Sequence, residues 1–385
     1  MKQKIAIIGS TGSIGKTSLK IVAKDLKNFN VTLLSAKKNY KLLIKQAKKF
    51  SVKNIVITDT KYFKIAKSKK IKSIKIYNNF NQLNKIFPKK IDYVMSSIVG
   101  LDGLEPTLKI IKHTKKIAIA NKESIICGWN LIQAELNKYN TKFIPVDSEH
   151  FSVWYALKNN LNRVIEKIYL TASGGSLLNI KKNKFNQLKM YQILKHPNWK
   201  MGKKITIDSS TLMNKVFEVI EAKKIFNLEY KQIGIIIHPQ SFVHAIIKFN
   251  DGMIKIIAHE TTMDIPIYNT IYDKKKYSLS KYKFDFNKLN KLNFLYVDKK
   301  KFPATNIIKK LPKNNSLYET VLVTANDEFV KLFLRKKINY TDIFKKTLNI
   351  INRNEFIRLK KILPRNYSDV INTSEKVRNR IRFYN

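Results

Sequence analysis

The sequence predicts an α/β protein with a parallel sheet in its N-terminal part, a mixed α+β middle and a helical C-terminal bundle. Three observations predict it. Short β-rich runs alternate with amphipathic helical stretches over residues 1 to 146. Strand runs then mix with one long helical stretch over residues 147 to 272. From "FPATNII" onward the apolar period is helical, giving a C-terminal domain over 299 to 385. A polar, Lys- and Tyr-rich stretch, 273 to 298, reads as the linker between them.

At 385 residues and 44% hydrophobic content the chain can fill more than one core. Its 75 Lys and Arg against 27 Asp and Glu leave a formal charge of +48, which raises a nucleic-acid partner as one reading. Only eight of the bases are Arg, and the lysines are scattered through every segment instead of forming one stripe, which argues against a dedicated polyanion surface. The excess can still steer an anionic substrate. A single cysteine, Cys127 in "IICGW", excludes an intrachain disulfide and suits a reducing compartment. The N-terminal apolar run breaks at Gly9, too short for a signal-peptide core or a membrane span, so the expected location is cytoplasmic and no membrane partner is expected.

Taken in order, the first strand "IAIIG" runs into "GSTGSIGKTSLKIV", which puts Gly9, Gly12 and Gly15 at a strand-to-helix turn. Glycines there let backbone approach a pyrophosphate and aim helix N-terminal amides at it, so a Rossmann-type dinucleotide site is expected. The glycine that a Walker loop needs upstream of Gly15-Lys16-Thr17 is missing. The second strand, "VTLLSA", ends in Lys37, Lys38 and Asn39 with no acid, which favours NADP over NAD because a 2′-phosphate is welcome there.

The run "FIPV" leads into "PVDSEH". If extended chain continues there, Asp147 and Glu149 point to one side, and two carboxylates that close call for a cation, Mg²⁺ or Mn²⁺ by their oxygen chemistry. "DSSTLMNKVFEVIEAKKIF" predicts a helix over 209–226 capped by Asp208 or Ser209, with Asn214 and Glu218 on one face and Lys215 alongside. Acids are scarce in this chain, so Glu218 reads as a third metal carboxylate beside an anion-binding set of Ser209, Asn214 and Lys215. "TASGGS" puts Ser173 on a glycine turn, and "HPNWKMG" puts His196, Trp199 and Gly202 on a segment that Pro197 keeps out of helix, with the character of a lid.

Together "GSTGSIG", "ANKES", "PVDSEH", "SGG", "HPNW", "DSSTLMNK" with Glu218, "HPQSFVH" and "FPATNII" resemble, in order over nearly the whole chain, the 1-deoxy-D-xylulose-5-phosphate reductoisomerase family. The resemblance implies an NADPH-binding Rossmann domain over 1–146, a catalytic domain over 147–272 and a C-terminal helical domain, usually in a homodimer. It implies rearrangement and reduction of a small phosphorylated ketose, with NADPH and Mg²⁺ or Mn²⁺. Metal ligands fall on Asp147, Glu149 and Glu218, and Lys122 joins them as a catalytic residue. Substrate contacts fall on Lys122, Ser148, Ser173, His196, Trp199, Ser209, Asn214 and Lys215. Cofactor contacts fall on Thr11, Gly12, Ser13, Ile14, Lys38, Asn39, Asn121, Glu123 and Gly202. Two departures stand out: Lys37 replaces a family glycine and adds charge near the 2′-phosphate, and the segment His259 to Pro266, "HETTMDIP", keeps Met263 and Pro266 of the family pattern but loses its glycine, first proline, Asp and Arg. The competing readings are another two-domain NADP-linked dehydrogenase, such as one acting on an amino-acid semialdehyde, and a basic nucleic-acid binder.

Overall fold

In the computed structural model the described residues are 1–158, 164–199, 201–272, 282 and 285–382. They fall into two compact units, Met1–Ile125 with Asn130–Phe151 and Met263–Leu279, and Ile126–Trp129 with Ser152–Thr262 and Ser280–Asn385.

The first unit is built on seven strands: β1 (Gln3–Ile8), β2 (Phe29–Ala36), β3 (Asn54–Ile57), β4 (Lys75–Tyr77), β5 (Tyr93–Ser96), β6 (Lys116–Ile119) and β7 (Lys142–Pro145). Every adjacent pair is parallel, in the order β4-β3-β2-β1-β5-β6-β7. A parallel sheet needs a crossover between neighbours, and helices such as Ser13–Val22, Tyr40–Lys49 and Leu104–Ile111 supply them. With both faces covered the central strand β1 is apolar over consecutive residues instead of alternating, and Ile5, Ala6, Ile7 and Ile8 are all essentially inaccessible. The order reverses between β1 and β5, and it is at the carboxyl ends of strands at such a switch point that doubly wound folds hold a ligand.

The second unit carries a mixed sheet of β8 (Ile165–Ala172), β9 (Ile233–Ile237), β10 (Val243–Phe249), β11 (Ile254–Ala258) and β12 (Leu295–Tyr296), in the order β11-β10-β8-β9-β12. Only β8 and β9 run parallel. Ile168, Leu170, Ala245, Ile247 and Phe249 from the sheet pack with Val219 and Ala222 of the helix Met213–Phe226 into one core. The helix Tyr318–Leu334 packs against both Tyr340–Ile351 and Tyr367–Arg382, the C-terminal bundle that the helical period anticipates. Of the stretch 273–298, residues 273–281 and 283–284 lie outside the described residues, and the remainder carries the short helix Phe286–Asn290 and β12. No helix among the described residues is long and apolar enough to cross a membrane.

The turn after β1 is held by close backbone approach. A Cβ at Gly15 would stand 2.5 Å from both Gly9 O and Ser10 Cα, and the helix Ser13–Val22 cannot move away without leaving the sheet it covers. Gly15→Val therefore costs about 1–3 kcal/mol by overpacking, read as a lower urea midpoint at unchanged m-value. An unchanged midpoint would show that the turn has room to relax.

Candidate active site

In the first unit the residues expected to meet a dinucleotide gather at the carboxyl ends of β1, β2, β5 and β6. Gly12 is the N-cap of Ser13–Val22 and puts no side chain over its first amides, so the amide end of the helix at Ser13 and Ile14, with Thr11 before it, is open to an anion. Ser35 Oγ accepts from Gly9 N at 2.9 Å and fixes this turn to β2. Past β2, Asn39 caps Tyr40–Lys49 by accepting from Leu42 N at 3.2 Å. Its neighbour Lys37 pairs with Asp102 in the turn after β5, an exposed contact that the sequence reading does not anticipate. Asn121 caps Lys122–Lys138, accepting from Ser124 N at 2.8 Å and donating to Gly100 O at 2.7 Å, which locks the loop after β5 to the helix start carrying Lys122 and Glu123.

β7 ends at Pro145, and the chain turns at once into the helix Ser148–Leu157. The expectation of extended chain through Asp147 and Glu149 is therefore corrected: Asp147 precedes the helix, its carbonyl accepting from Phe151 N at 2.7 Å, and Glu149 lies in the first turn. A helix N-terminus gives the two acids the positive end of the dipole, which favours their charge. Ser148 Oγ donates to Glu149 Oε2 at 2.5 Å. Lys122 Nζ stands 3.0 Å from Asp147 Oδ2. Burial resists ionisation of Asp147, yet the Lys122 ammonium beside it, then His150, hold its carboxyl well below the ordinary range. Its other oxygen, Oδ1, is buried and has no hydrogen-bond partner among the described residues, with His150 Nδ1 at 3.7 Å. An ionised, buried oxygen in that state suits a hard cation.

The second unit holds the remaining groups. Ser173 follows β8, and its Oγ accepts from Gly175 N at 3.0 Å. His196 Nδ1 accepts from the amides of Asn198 (3.1 Å) and Trp199 (3.0 Å), so the ring proton is on Nε2, which donates to Ser173 Oγ at 3.0 Å. With two donors already on its oxygen, the Ser173 hydroxyl has its own proton left for an acceptor such as a phosphate. Gly175 has φ +63°, and a Cβ there would meet Ser209 O at 2.9 Å and Ser210 Cα at 2.8 Å, so glycine is what lets the serine turn lie against the backbone of Ser209.

The single helix expected over 209–226 is two: Lys203–Thr211, with Gly202 as its N-cap, and Met213–Phe226, broken at Leu212 with φ 58° and ψ 14°. Asp208 and Ser209 consequently lie inside the first helix, not at a cap. Leu212 takes this left-handed conformation because its side chain is wanted in the core, where it is 1% exposed against Ala172, Ile237 and Phe302. In the second helix Asn214 Nδ2 and Lys215 Nζ both donate to Glu218, at 2.5 Å each, so these three share one face. Burial, then the nearby Lys215 ammonium, push His196 down to about 4, which places Lys215 in the neighbourhood of the serine turn. Sequence reading misses Asn198, which donates to Pro239 O (2.6 Å) and Ser241 Oγ (2.8 Å) and ties the Trp199 segment to the "HPQSF" turn. Its only signal is its place inside "HPNW".

These features define a dinucleotide-dependent α/β oxidoreductase with a buried acid–lysine site and an anion-ready serine turn. Residues 5–128 match the profile of 1-deoxy-D-xylulose 5-phosphate reductoisomerase, 143–226 that of the 1-deoxy-D-xylulose 5-phosphate reductoisomerase C-terminal domain, and 259–380 that of the DXP reductoisomerase C-terminal domain. The chain belongs to the 1-deoxy-D-xylulose 5-phosphate reductoisomerase family. It is 57% identical to the protein of that name from Pelagibacter ubique over 344 residues, 89% of each chain, and 38% identical to that from Chloroherpeton thalassium over 343 residues, again 89% of each. Among solved structures it is similar to the Zymomonas mobilis enzyme in complex with NADPH (29% identity, TM-score 0.86, 98% of this chain and 97% of that one). It is also similar to a DOX-P reductoisomerase in complex with NADPH, fosmidomycin and magnesium (28% identity, TM-score 0.89, the same coverages).

Two imidazoles, His196 half-buried and His259 buried, set a pH dependence of stability. His196 and His259 sit at about 4 in the folded chain, burial being the larger cause in each, against about 6.5 for histidine in an unfolded one. Between these values the unfolded state binds more protons, so stability falls as pH falls from 6.5 towards 4 and is flat above about 7.5. Urea midpoints measured across that range should show this decline, and His196→Asn should lessen it. A pH-independent midpoint would mean that these rings are solvated and charged in the native state.

Proposed function

We propose that the chain catalyses the NADPH- and divalent-metal-dependent rearrangement and reduction of 1-deoxy-D-xylulose 5-phosphate to 2-C-methyl-D-erythritol 4-phosphate, in the non-mevalonate route to isoprenoids. Family membership supports the reaction. The observation that carries the site assignment is Asp147, an acid held ionised by Lys122 and then His150, with one buried oxygen that accepts no hydrogen bond among the described residues.

In this reading Asp147, Glu149 and Glu218 hold Mg²⁺ or Mn²⁺, and residues 1–146, 147–272 and 299–385 are the cofactor, catalytic and C-terminal helical domains, joined by 273–298. A bound divalent ion supplies Lewis acidity at neighbouring oxygens of the ketose, and NADPH supplies hydride. Everything else is the work of side chains. Lys215, Asn214, Ser209, Ser173 and neutral His196 bind the phosphate end, so that binding energy remote from the reacting carbons positions them. Ser148 orients the ketose hydroxyls, and Lys122, already beside Asp147, holds a proton at the reacting oxygens. Trp199 covers the substrate and excludes water. Thr11, Gly12, Ser13 and Ile14 face the pyrophosphate, Lys37, Lys38 and Asn39 the 2′-phosphate, and Asn121, Glu123 and Gly202 the rest of the cofactor.

We place the enzyme in the cytoplasm as a homodimer. β11 supports the dimer: it is an edge strand of the second sheet, and Ile254 and Ile256 on one of its faces are 56% and 52% exposed, an apolar edge that a soluble monomer normally blunts.

Three outcomes follow. NADPH absorbance should fall when 1-deoxy-D-xylulose 5-phosphate is added and stop on addition of EDTA, whereas oxidation that persists in chelator would remove the metal from the reaction. Lys215→Ala should raise KM for the ketose phosphate about tenfold or more, the worth of one charge-assisted hydrogen bond, with KM for NADPH unmoved. An unchanged KM would take Lys215 out of the phosphate site. Ile256→Glu should convert the dimer to monomer in light scattering, and a retained dimer would place the interface elsewhere.

A further inference from the structure

His259, the first residue of the segment that departs from the family pattern, lies in the second unit against His244, the residue on which Trp199 rests. Trp199 has two anchors: its amide donates to His196 Nδ1, and its indole meets the His244 ring edge to face, with centroids 6.1 Å apart at 71°. His244 is held in turn from several directions. The β10–β11 register passes from Val243↔Ala258 to Ala245↔Ile257, so His244 is the extra residue of a bulge, the device by which a strand re-aims one side chain. Its Nε2 donates to His259 O at 3.2 Å. Its face is covered by the His259 ring, nearly parallel at 18°, with centroids 3.7 Å apart.

His259 is fixed by its own bonds. Its amide donates to Phe242 O at 3.0 Å and its Nδ1 donates to Glu260 O at 2.8 Å. Both rings are buried and neutral, His259 at about 4 and His244 well below its ordinary value, so no charge repulsion opposes the stack. The result is three rings in series, His259 on His244 on Trp199, the last sharing His196 with the serine turn.

We propose that His259 is a positioning residue for this reaction: its ring fixes His244 as the seat of Trp199, and so sets how readily the indole closes over the phosphorylated ketose. The inference rests on the reading of Trp199 as the cover of the substrate.

The test combines kinetics with acrylamide quenching of tryptophan fluorescence on the full chain, the Trp199 contribution being identified by its loss in Trp199→Phe. His259→Gly should raise KM for the ketose phosphate about fivefold, the worth of an aromatic pair, and leave kcat within about twofold. KM for NADPH should not move, and the Trp199 component should become more accessible to acrylamide. His259→Phe, which keeps a ring, should return both readouts towards wild type. Unchanged KM and quenching in His259→Gly would overturn the proposal, as would a fall in melting temperature and kcat that leaves KM and quenching where they were. If Trp199→Phe leaves KM for the ketose phosphate intact while His259→Gly still frees the indole, the seat stands and the covering role of Trp199 falls.

Discussion

Burying an acid's charge is costly without a cation, and four acids, three in the second unit and one at the end of β7 in the first, stand against lysines. Asp147 is set against Lys122 at 3.0 Å, Glu218 against Lys215 at 2.5 Å, Glu319 against Lys224 at 3.0 Å, and Asp208 against Lys204 at 3.1 Å with Asn326 on its other oxygen. Removing the lysine from such a pair leaves an uncompensated charge worth about 3–5 kcal/mol of destabilisation. In a chain with 75 bases and 27 acids a lysine partner is easily found, so the informative feature is the acid. Three of these four pairs close on themselves or on a neighbouring helix. Asp147 differs in that its Oδ1 is buried with no hydrogen bond among the described residues, His150 Nδ1 standing 3.7 Å away.

The same logic explains the anion side. The donors around the serine turn are likewise fixed through local bonds instead of long reaches. The two amides on His196 Nδ1 choose its tautomer, the tautomer commits Nε2 to Ser173, and Gly175 brings the serine turn onto Ser209. In the proposed phosphate site His196, neutral at physiological pH, would contribute geometry and Lys215 the charge. A neutral positioner beside a charged binder spares the site a second buried cation.

Much of this was legible in the sequence, for identifiable reasons. The parallel sheet announces itself because strands buried on both faces carry consecutive apolar residues, as in "IAII" and "IVI". The Gly9–Gly15 turn is readable because only glycine tolerates its contacts. Asn214, Lys215 and Glu218 could be placed on one face from helical spacing alone. What stayed hidden depends on tertiary contact. The short motif "PVDSEH" is equally compatible with a strand end and a helix start, and the chain takes the helix from Ser148. The break at Leu212 leaves the apolar period intact, since the same leucine stays in the core on either side of a left-handed residue, so no periodicity reports it. The Lys37–Asp102 pair and the His244–His259 stack join residues far apart in sequence or across a strand bulge, where spacing carries no information.

The claim on which the functional reading turns is that Asp147, Glu149 and Glu218 act together on one divalent ion. Manganese binding followed by electron paramagnetic resonance of free Mn²⁺ measures this without reference to turnover. The full chain should take up one ion per chain, and Glu218→Gln should lose that uptake while keeping its fold by circular dichroism. Undiminished uptake in Glu218→Gln, or none in the unaltered chain, would contradict it.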